Sequence, residues 1–253
     1  MSTPKELTLA EQQSILLDIM KDIDSFCRAN NIRYSLSDGT MLGAVRHGGF
    51  IPWDDDADLC MPREDFDRFV KTYQSDRYHL LLNTHTEEEV FFYGFAKIND
   101  PTTYGATSYR NLSKYGVAVD IFPLEPVPQE EKKRAEYTHK IRSLHNRLYH
   151  RHRKDPISII KSYRHSIDWW WNKIDDVLHN GEYSGSRLLS QIIGMPNVEV
   201  LLDIDRFNNL VDIEFNGHKF LGFKDTDSYL KMLFGADYMI PKKWAHNHVV
   251  YKK

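Results

Sequence analysis

Four aspartates fall within five residues, Asp54-Asp55-Asp56-Ala57-Asp58, directly after Trp53. Asp56 to Met61 alternates acidic or small residues with apolar ones, the pattern of a half-buried strand. In a strand, residues two apart share a face, which puts Asp56 and Asp58 together while Ala57 and Leu59 turn inward. Their alpha carbons would stand roughly 6.6 Å apart, from a rise of about 3.3 Å per residue. Two carboxylates so placed can converge on one hard cation. Without a cation they would repel by roughly 3 kcal/mol at about 5 Å and an effective dielectric near 20. The acidic run therefore makes chemical sense around Mg²⁺ or Mn²⁺. A solvated acidic turn after Trp53 is the competing reading, and Asp54 and Asp55 read as turn residues.

Upstream, Gly39 allows backbone to approach a ligand, and Thr40 opens a short helix, Met41 to His47, whose free amides favour anions. A phosphate held there would lie beside a metal on the next strand. A plain strand-to-helix turn would use the same two residues.

The elements that must position these groups are readable from periodicity. Thr8 with Glu11 forms a capping box, and Ile15, Ile19, Ile23 and Cys27 then recur on one helical face until Asn30-Asn31. Ile32 to Ser37 reads as a short strand, and Pro62 as the first turn of a helix running to about Tyr73. Further strands are expected at His79 to Leu82, Val90 to Ile98 and Val117 to Phe122, the last ended by Pro123 and Pro126. From Glu130 to about Leu178 the chain reads as two or more helices broken near Asp155-Pro156. Phe215 to Phe223 reads as a hairpin around Asn216-Gly217.

In composition the chain is an ordinary folded protein: 253 residues, 41% hydrophobic and 27% charged, with a formal net charge of −3. That charge excludes a uniformly basic nucleic-acid binder, and no nucleic-acid partner is expected. Cys27 and Cys60, the two cysteines, lack metal-ligand spacing and read as reduced core thiols. Met1 to Glu6 has no apolar stretch of the signal-peptide kind, and no segment has the apolar length of a membrane span. The expected location is cytoplasmic, with peripheral contact at the inner face of the membrane as an option.

Gly39-Thr40-Met-Leu-Gly-Ala-Val-Arg-His47, followed by Phe50-Ile-Pro-Trp-Asp-Asp-Asp-Ala-Asp58, resembles the core motif of the LicD family. That family belongs to the DNA polymerase beta-type nucleotidyltransferases and includes the domain of fukutin-related proteins. The similarity extends to Lys97-Ile-Asn-Asp100 with Thr103, to Val119-Asp120-Ile-Phe-Pro-Leu124, and to Tyr229-Leu230 with Phe234 to Pro241. Phe234-Gly-Ala-Asp237 departs from the family's Tyr-Gly-Asp form, and Glu130 to Val198 carries no motif that aligns.

The resemblance implies an α/β (α+β) nucleotidyltransferase fold, a mixed sheet flanked by helices. Its core would span residues 1–128, with a basic, aromatic helical insertion at 129–197 and a C-terminal segment, 198–253, completing the domain. It implies transfer of a substituted phosphate, phosphocholine from CDP-choline, to a hydroxyl of a glycan such as teichoic acid or lipopolysaccharide. Two alternatives stay open: transfer of a nucleoside monophosphate from a triphosphate, and a non-catalytic glycan- or membrane-binding module. In such a site Asp120, pointing out of an apolar strand, would join Asp56 and Asp58 at the metal and orient or deprotonate the acceptor. Arg46 and Lys97 would bind the donor diphosphate. His47, His246, His248, Asp237 and Tyr238 are lesser candidates. The stretch Lys132 to Arg164, crowded with Lys and Arg and followed by Trp169-Trp170-Trp171, has two readings. It would grip an anionic membrane or a lipid-linked glycan acceptor, or else form a solvated face with tryptophans packed inward.

Overall fold

A computed structural model of the chain describes residues 5–82, 94–106, 115–150, 166–179, 183, 185–193, 199–242 and 250–252. The first helix, α1 (Leu9–Ala29), starts where expected: the Glu11 amide donates to Thr8 Oγ1 at 3.3 Å and the Thr8 amide to Glu11 Oε2 at 2.8 Å. Leu16, Ile19, Met20, Ile23 and Cys27 form its buried stripe. Asn31, at φ 53°, takes the left-handed conformation just beyond the helix.

The chain then runs through β1 (Ser35–Leu36), α2 (Asp38–His47), β2 (Asp58–Pro62) and α3 (Arg63–Thr72). Next come β3 (His79–Leu81), β4 (Ala96–Asn99), β5 (Tyr104–Ala106) and β6 (Ala118–Pro126). Strand β1 is shorter than the expected Ile32 to Ser37. Helix α2 begins at Asp38, not Met41, so Gly39 and Thr40 lie inside its first turn. Asp56 precedes β2 and is not part of the strand. The part of the expected Val90 to Ile98 strand before Gly94 lies outside the described residues.

Pro123 does not end β6, which runs on to Pro126. Strand β4 pairs with β6 only through Ala118 to Ile121, so beyond that point one edge of β6 is free of that neighbour and tolerates a missing amide.

The central sheet is mixed, in the order β1-β2-β6-β4-β3, with β2 and β6 parallel and the other pairs antiparallel. Helices α1, α2 and α3 pack on its two central strands, β2 and β6. Val119, Ile121, Phe122 and Leu124 of β6 are buried, as befits a central strand covered on both faces. Half-buried Arg63 opens α3 and is paired with Glu125 near the far end of β6 and with Asp67 at 3.0 Å, which ties the helix to the sheet.

Two helices follow, α4 (Glu131–His150) and α5 (Ile167–His179); the expected break at Asp155-Pro156 lies outside the described residues. Then β7 (Leu188–Ser190) pairs with the end of β6, and β8 (Leu201–Asp203) with β7. A one-turn helix, α6 (Asp205–Asn208), leads to the hairpin β9 (Leu210–Phe215) and β10 (His218–Phe223). Asn216 and Gly217, at φ 48° and 75°, make its turn as the sequence predicts. The Asn216 side chain accepts from the Phe50 amide at 3.0 Å, fastening the hairpin to the segment that leads into the aspartates. Helix α7 (Thr226–Phe234) and β11 (Val250–Lys252) complete the order. Strand β11 pairs with β5, and its Tyr251 carbonyl accepts from the Leu7 amide at 2.9 Å.

Candidate active site

Parallel pairing of β2 with β6 sets Asp58 opposite Asp120, and antiparallel pairing of β4 with β6 sets Lys97 opposite the same Asp120. Residues paired in register lie on one face, so the three side chains form a row across the sheet. Lys97, buried in β4 between the apolar Ala96 and Ile98, makes an ion pair with Asp120. The Asp120 amide donates to the Ala57 carbonyl at 2.9 Å, which holds the row in register immediately beside Asp56.

Next to Asp58 opens a cavity of about 340 Å³. Asp38, Asp54, Asp56 and Asp58 line one end, and Arg46, Trp53, Phe234, Tyr238, Ile240 and Lys242 line much of the rest. Asp56 and Asp58 thus face a common space, although only Asp58 belongs to the strand. Asp54 and Asp38 are residues that the sequence reading missed. Asp54 is buried rather than a plain turn residue, and its carboxyl is within hydrogen-bonding reach of Asp56. Gly39 makes room for it: a Cβ on Gly39 would stand 3.1 Å from Asp54 Oδ2. The signal available was the run itself, whose members a turn was enough to explain. Asp38 sits at φ 45°, a left-handed conformation that Asp tolerates better than most residues, and its amide donates to the buried Tyr229 hydroxyl at 3.1 Å.

Burial and crowding push these acids up. Asp38 is raised to about 7, mainly by loss of solvation, with Ser37 and Gln191 pulling the other way. Asp56 is also raised to about 7, by desolvation and then by the Asp54 charge. Asp58 lies well above the usual range, by desolvation and by the charges of Asp56, Asp38, Asp120 and Asp54. Asp120 is raised by burial and lowered by Lys97.

The other candidates divide. Arg46 donates to the Tyr238 carbonyl at 2.8 Å and so joins α2 to the turn after α7. Thr40 does not face the cavity with its hydroxyl free: Oγ1 accepts from the Asp58 amide at 2.8 Å and fixes the strand start. Lys97 stands at Asp120 rather than on the cavity wall with Arg46. His47 contacts the Trp53 ring edge-on, 6.2 Å between centroids. Asp237 pairs with Lys242 at 2.7 Å, and the Tyr238 hydroxyl donates to Asp227 at 3.0 Å. His246 and His248 lie outside the described residues.

Among the described residues no three His, Cys, Asp or Glu side chains form a ready-made metal cage. The acidic end of the cavity nevertheless has the chemistry of a divalent-cation site. Asp38 Oδ1 is buried without a hydrogen-bond partner, and the Asp58 charge is opposed by four neighbouring carboxylates. Oxygen-only ligands of this kind suit Mg²⁺ or Mn²⁺.

In the basic region, three described arginines have partners within the chain, while Lys132 and Lys140 are exposed. Arg134 pairs with Glu199 at 2.7 Å, Arg142 donates to the Ile192 carbonyl at 3.0 Å, and Arg147 lies over the Trp170 ring at 5.8 Å. Trp170 is buried and Trp169 is exposed. Arg151, Arg153 and the rest of the stretch to Arg164 lie outside the described residues. Among the described residues no helix is long and apolar enough to cross a membrane.

The model of the LicD/FKTN/FKRP nucleotidyltransferase domain family matches residues 31–161, just over half of the chain. The chain belongs to this family. Its membership carries a transferase-type role, and the matched stretch holds Gly39, Arg46, all four clustered aspartates, Lys97 and Asp120. This chain is 40% identical over 131 residues to the lipopolysaccharide cholinephosphotransferase LicD of Haemophilus influenzae. That alignment covers 51% of this chain and 48% of the relative, so the chain spans about half the relative's length. It is also 54% identical over 37 residues to the ribitol 5-phosphate transferase FKRP of Homo sapiens, covering 15% of this chain and 8% of that protein. The ribitol 5-phosphate transferase of Mus musculus is similar to the same extent.

Proposed function

We propose that this LicD-family chain is a metal-dependent phosphotransferase that moves a substituted phosphate from a CDP-linked donor to a glycan hydroxyl. The observation that carries the reading is the row Asp58, Asp120 and Lys97, set at the edge of a cavity that Arg46 also lines. The names of the similar proteins support it: one is a cholinephosphotransferase and the others are ribitol 5-phosphate transferases, each a carrier of a substituted phosphate. Phosphocholine from CDP-choline is the donor group we favour.

The donor occupies the cavity. Arg46 binds diphosphate oxygens through its planar fork, and Trp53, Phe234 and Tyr238 line the rest of the donor's space. Asp56 and Asp58 hold Mg²⁺ or Mn²⁺, which when bound neutralises phosphate charge at the reacting centre. Asp120 orients the acceptor hydroxyl and accepts its proton as the oxygen attacks phosphorus. The phosphorus–oxygen bond to CMP breaks, and CMP leaves with the electron pair. Little covalent work is left for the protein beyond positioning and charge stabilisation.

The test is incubation with CDP-choline, Mg²⁺ and cell-surface glycan fractions, with CMP release and product mass both followed. A phosphocholine adduct with CMP released is the expected result. A product carrying the nucleoside monophosphate instead would make the chain a nucleotidyltransferase in the strict sense. No cleavage of any CDP-linked donor would overturn the reading.

A further inference from the structure

Asp38 has no part in the proposed transfer, yet it has the marks of a ligand. It is 7% exposed, it lines the same cavity as Asp54, Asp56 and Asp58, and its Oδ1 has no hydrogen-bond partner among the described residues. A carboxylate oxygen so placed is costly in the free protein unless something brings it a positive charge or a donor. Its backbone is costly too: φ is 45°, a conformation that glycine adopts at less expense.

Hydrogen bonds fix its place beside Asp58. The Ser37 amide donates to the Asp58 carbonyl at 3.0 Å, and the Asp58 amide donates to Thr40 Oγ1 at 2.8 Å. The first turn of α2, which Asp38 opens, is thereby clipped to the start of β2 through the residues on either side of it. From α7, the buried Tyr229 hydroxyl accepts the Asp38 amide at 3.1 Å and pins the left-handed residue. Asp54 Oδ2 lies against the next residue, where a Cβ on Gly39 would stand 3.1 Å from it. Asp38 is thus held in a rigid frame, with its unpartnered oxygen at the acidic end of the cavity.

We infer that Asp38 is a ligand of a second divalent cation, with Asp58 bridging it to the cation held by Asp56. Asp38, Asp54, Asp56, Asp58 and Asp120 bring five carboxyls together, and Lys97 is paired with one of them. With all five ionised, a single divalent cation leaves that end of the cavity acidic and hostile to an anionic donor. A second cation neutralises it. Two ions that share a carboxylate stand about 3.5–4 Å apart, the spacing of two-metal sites. Asp38 and Asp58 do not make a complete cage, which suits Mg²⁺ or Mn²⁺: such an ion takes one or two carboxylates and completes its octahedron with waters and phosphate oxygens. The task of bridging the donor diphosphate rests on the proposed transfer reaction; the binding of the ion does not.

Mn²⁺, with CDP as the phosphate probe, tests this without turnover. Electron paramagnetic resonance counts the Mn²⁺ bound per chain, after subtraction of Mn²⁺–CDP alone, and shows whether two ions are spin-coupled through a shared carboxylate. Expected in the wild type are two Mn²⁺ per chain with a coupled spectrum. Asp38→Asn and Asp38→Gly remove the charge and keep a residue that accepts the left-handed backbone, along with the amide that Tyr229 holds. Each should bind one Mn²⁺ and give an uncoupled spectrum, and should either melt well below the wild type, the other is the variant to read. A single Mn²⁺ in the wild type, or two coupled ions in a folded variant, overturns the inference. Two coupled ions in a wild type that cleaves no CDP-linked donor would sink the transfer reaction and leave the second site standing. Phosphocholine transfer by a wild type that binds one ion would do the reverse.

Discussion

Asp58 and Asp120 stand directly opposite each other on parallel neighbouring strands, although among the described residues one helix and three strands separate them in the chain. Their pairing places two carboxylates on one face at the centre of the sheet, with Lys97 on the far side of Asp120. Side chains so deeply framed by backbone pairing cannot move apart to relieve repulsion. Relief has to come from a proton, from Lys97 or from a bound cation.

Asp56→Asn and Asp58→Asn each remove one charge from that crowd. Transfer should fall by more than about a hundredfold, the scale on which loss of one transition-state stabiliser acts. The melting temperature without metal should hold or rise, because the charge removed is opposed by its neighbours. Mg²⁺ should stabilise the wild type and not the variants, as read by thermal shift. Full turnover in either variant would rule out the metal assignment.

Lys97→Met leaves Asp120 buried without its countercharge. Breaking a buried pair from one side costs on the order of 3 kcal/mol, limited here by the ability of Asp120 to take up a proton. The double variant Lys97→Met with Asp120→Asn should recover most of the stability and none of the activity. Urea unfolding of all three variants measures this. Additive losses in the double variant would mean that the two side chains do not interact.

Gly39→Ala tests the fit between α2 and the acidic end of the cavity. The new Cβ would come within 3.1 Å of Asp54 Oδ2, close enough to push that carboxyl but not to break the helix. Alanine is also the better helix former. The expected outcome is an unchanged melting temperature with several-fold weaker donor binding by calorimetry. Unchanged donor affinity would place Asp54 outside the site.

Much of the frame was legible in the residues because each element had a local signal. The Thr8–Glu11 box marked the start of α1, and Asn216-Gly217 marked the hairpin turn. The acidic alternation marked β2 to within two residues. What stayed hidden depended on pairing between distant segments. Pro123 looked like a strand end because its missing amide could not be seen to face a side of β6 without β4. Asp54 looked like a turn residue until Gly39 was seen to lie against it.

Arg46→Gln separates binding of the donor from the hold on the cavity wall. Arg46 lines the cavity and also donates to the Tyr238 carbonyl, so two effects are expected from one substitution. Loss of a charged donor to a phosphate oxygen weakens donor binding by roughly ten- to a hundredfold, from about 1.5–3 kcal/mol per charge-assisted hydrogen bond. That part should shrink as salt rises, because the wild-type attraction is itself screened. Loss of the hold on Tyr238 is independent of salt and should show as faster amide exchange at Tyr238 to Ile240. Tyr238→Phe removes the hydroxyl bond to Asp227 while keeping the carbonyl that Arg46 grips. It should therefore loosen the turn slightly and leave the salt dependence of donor binding intact. If Arg46→Gln binds CDP-choline as tightly as the wild type at low salt, Arg46 serves only to hold the turn, and the diphosphate must be bound elsewhere.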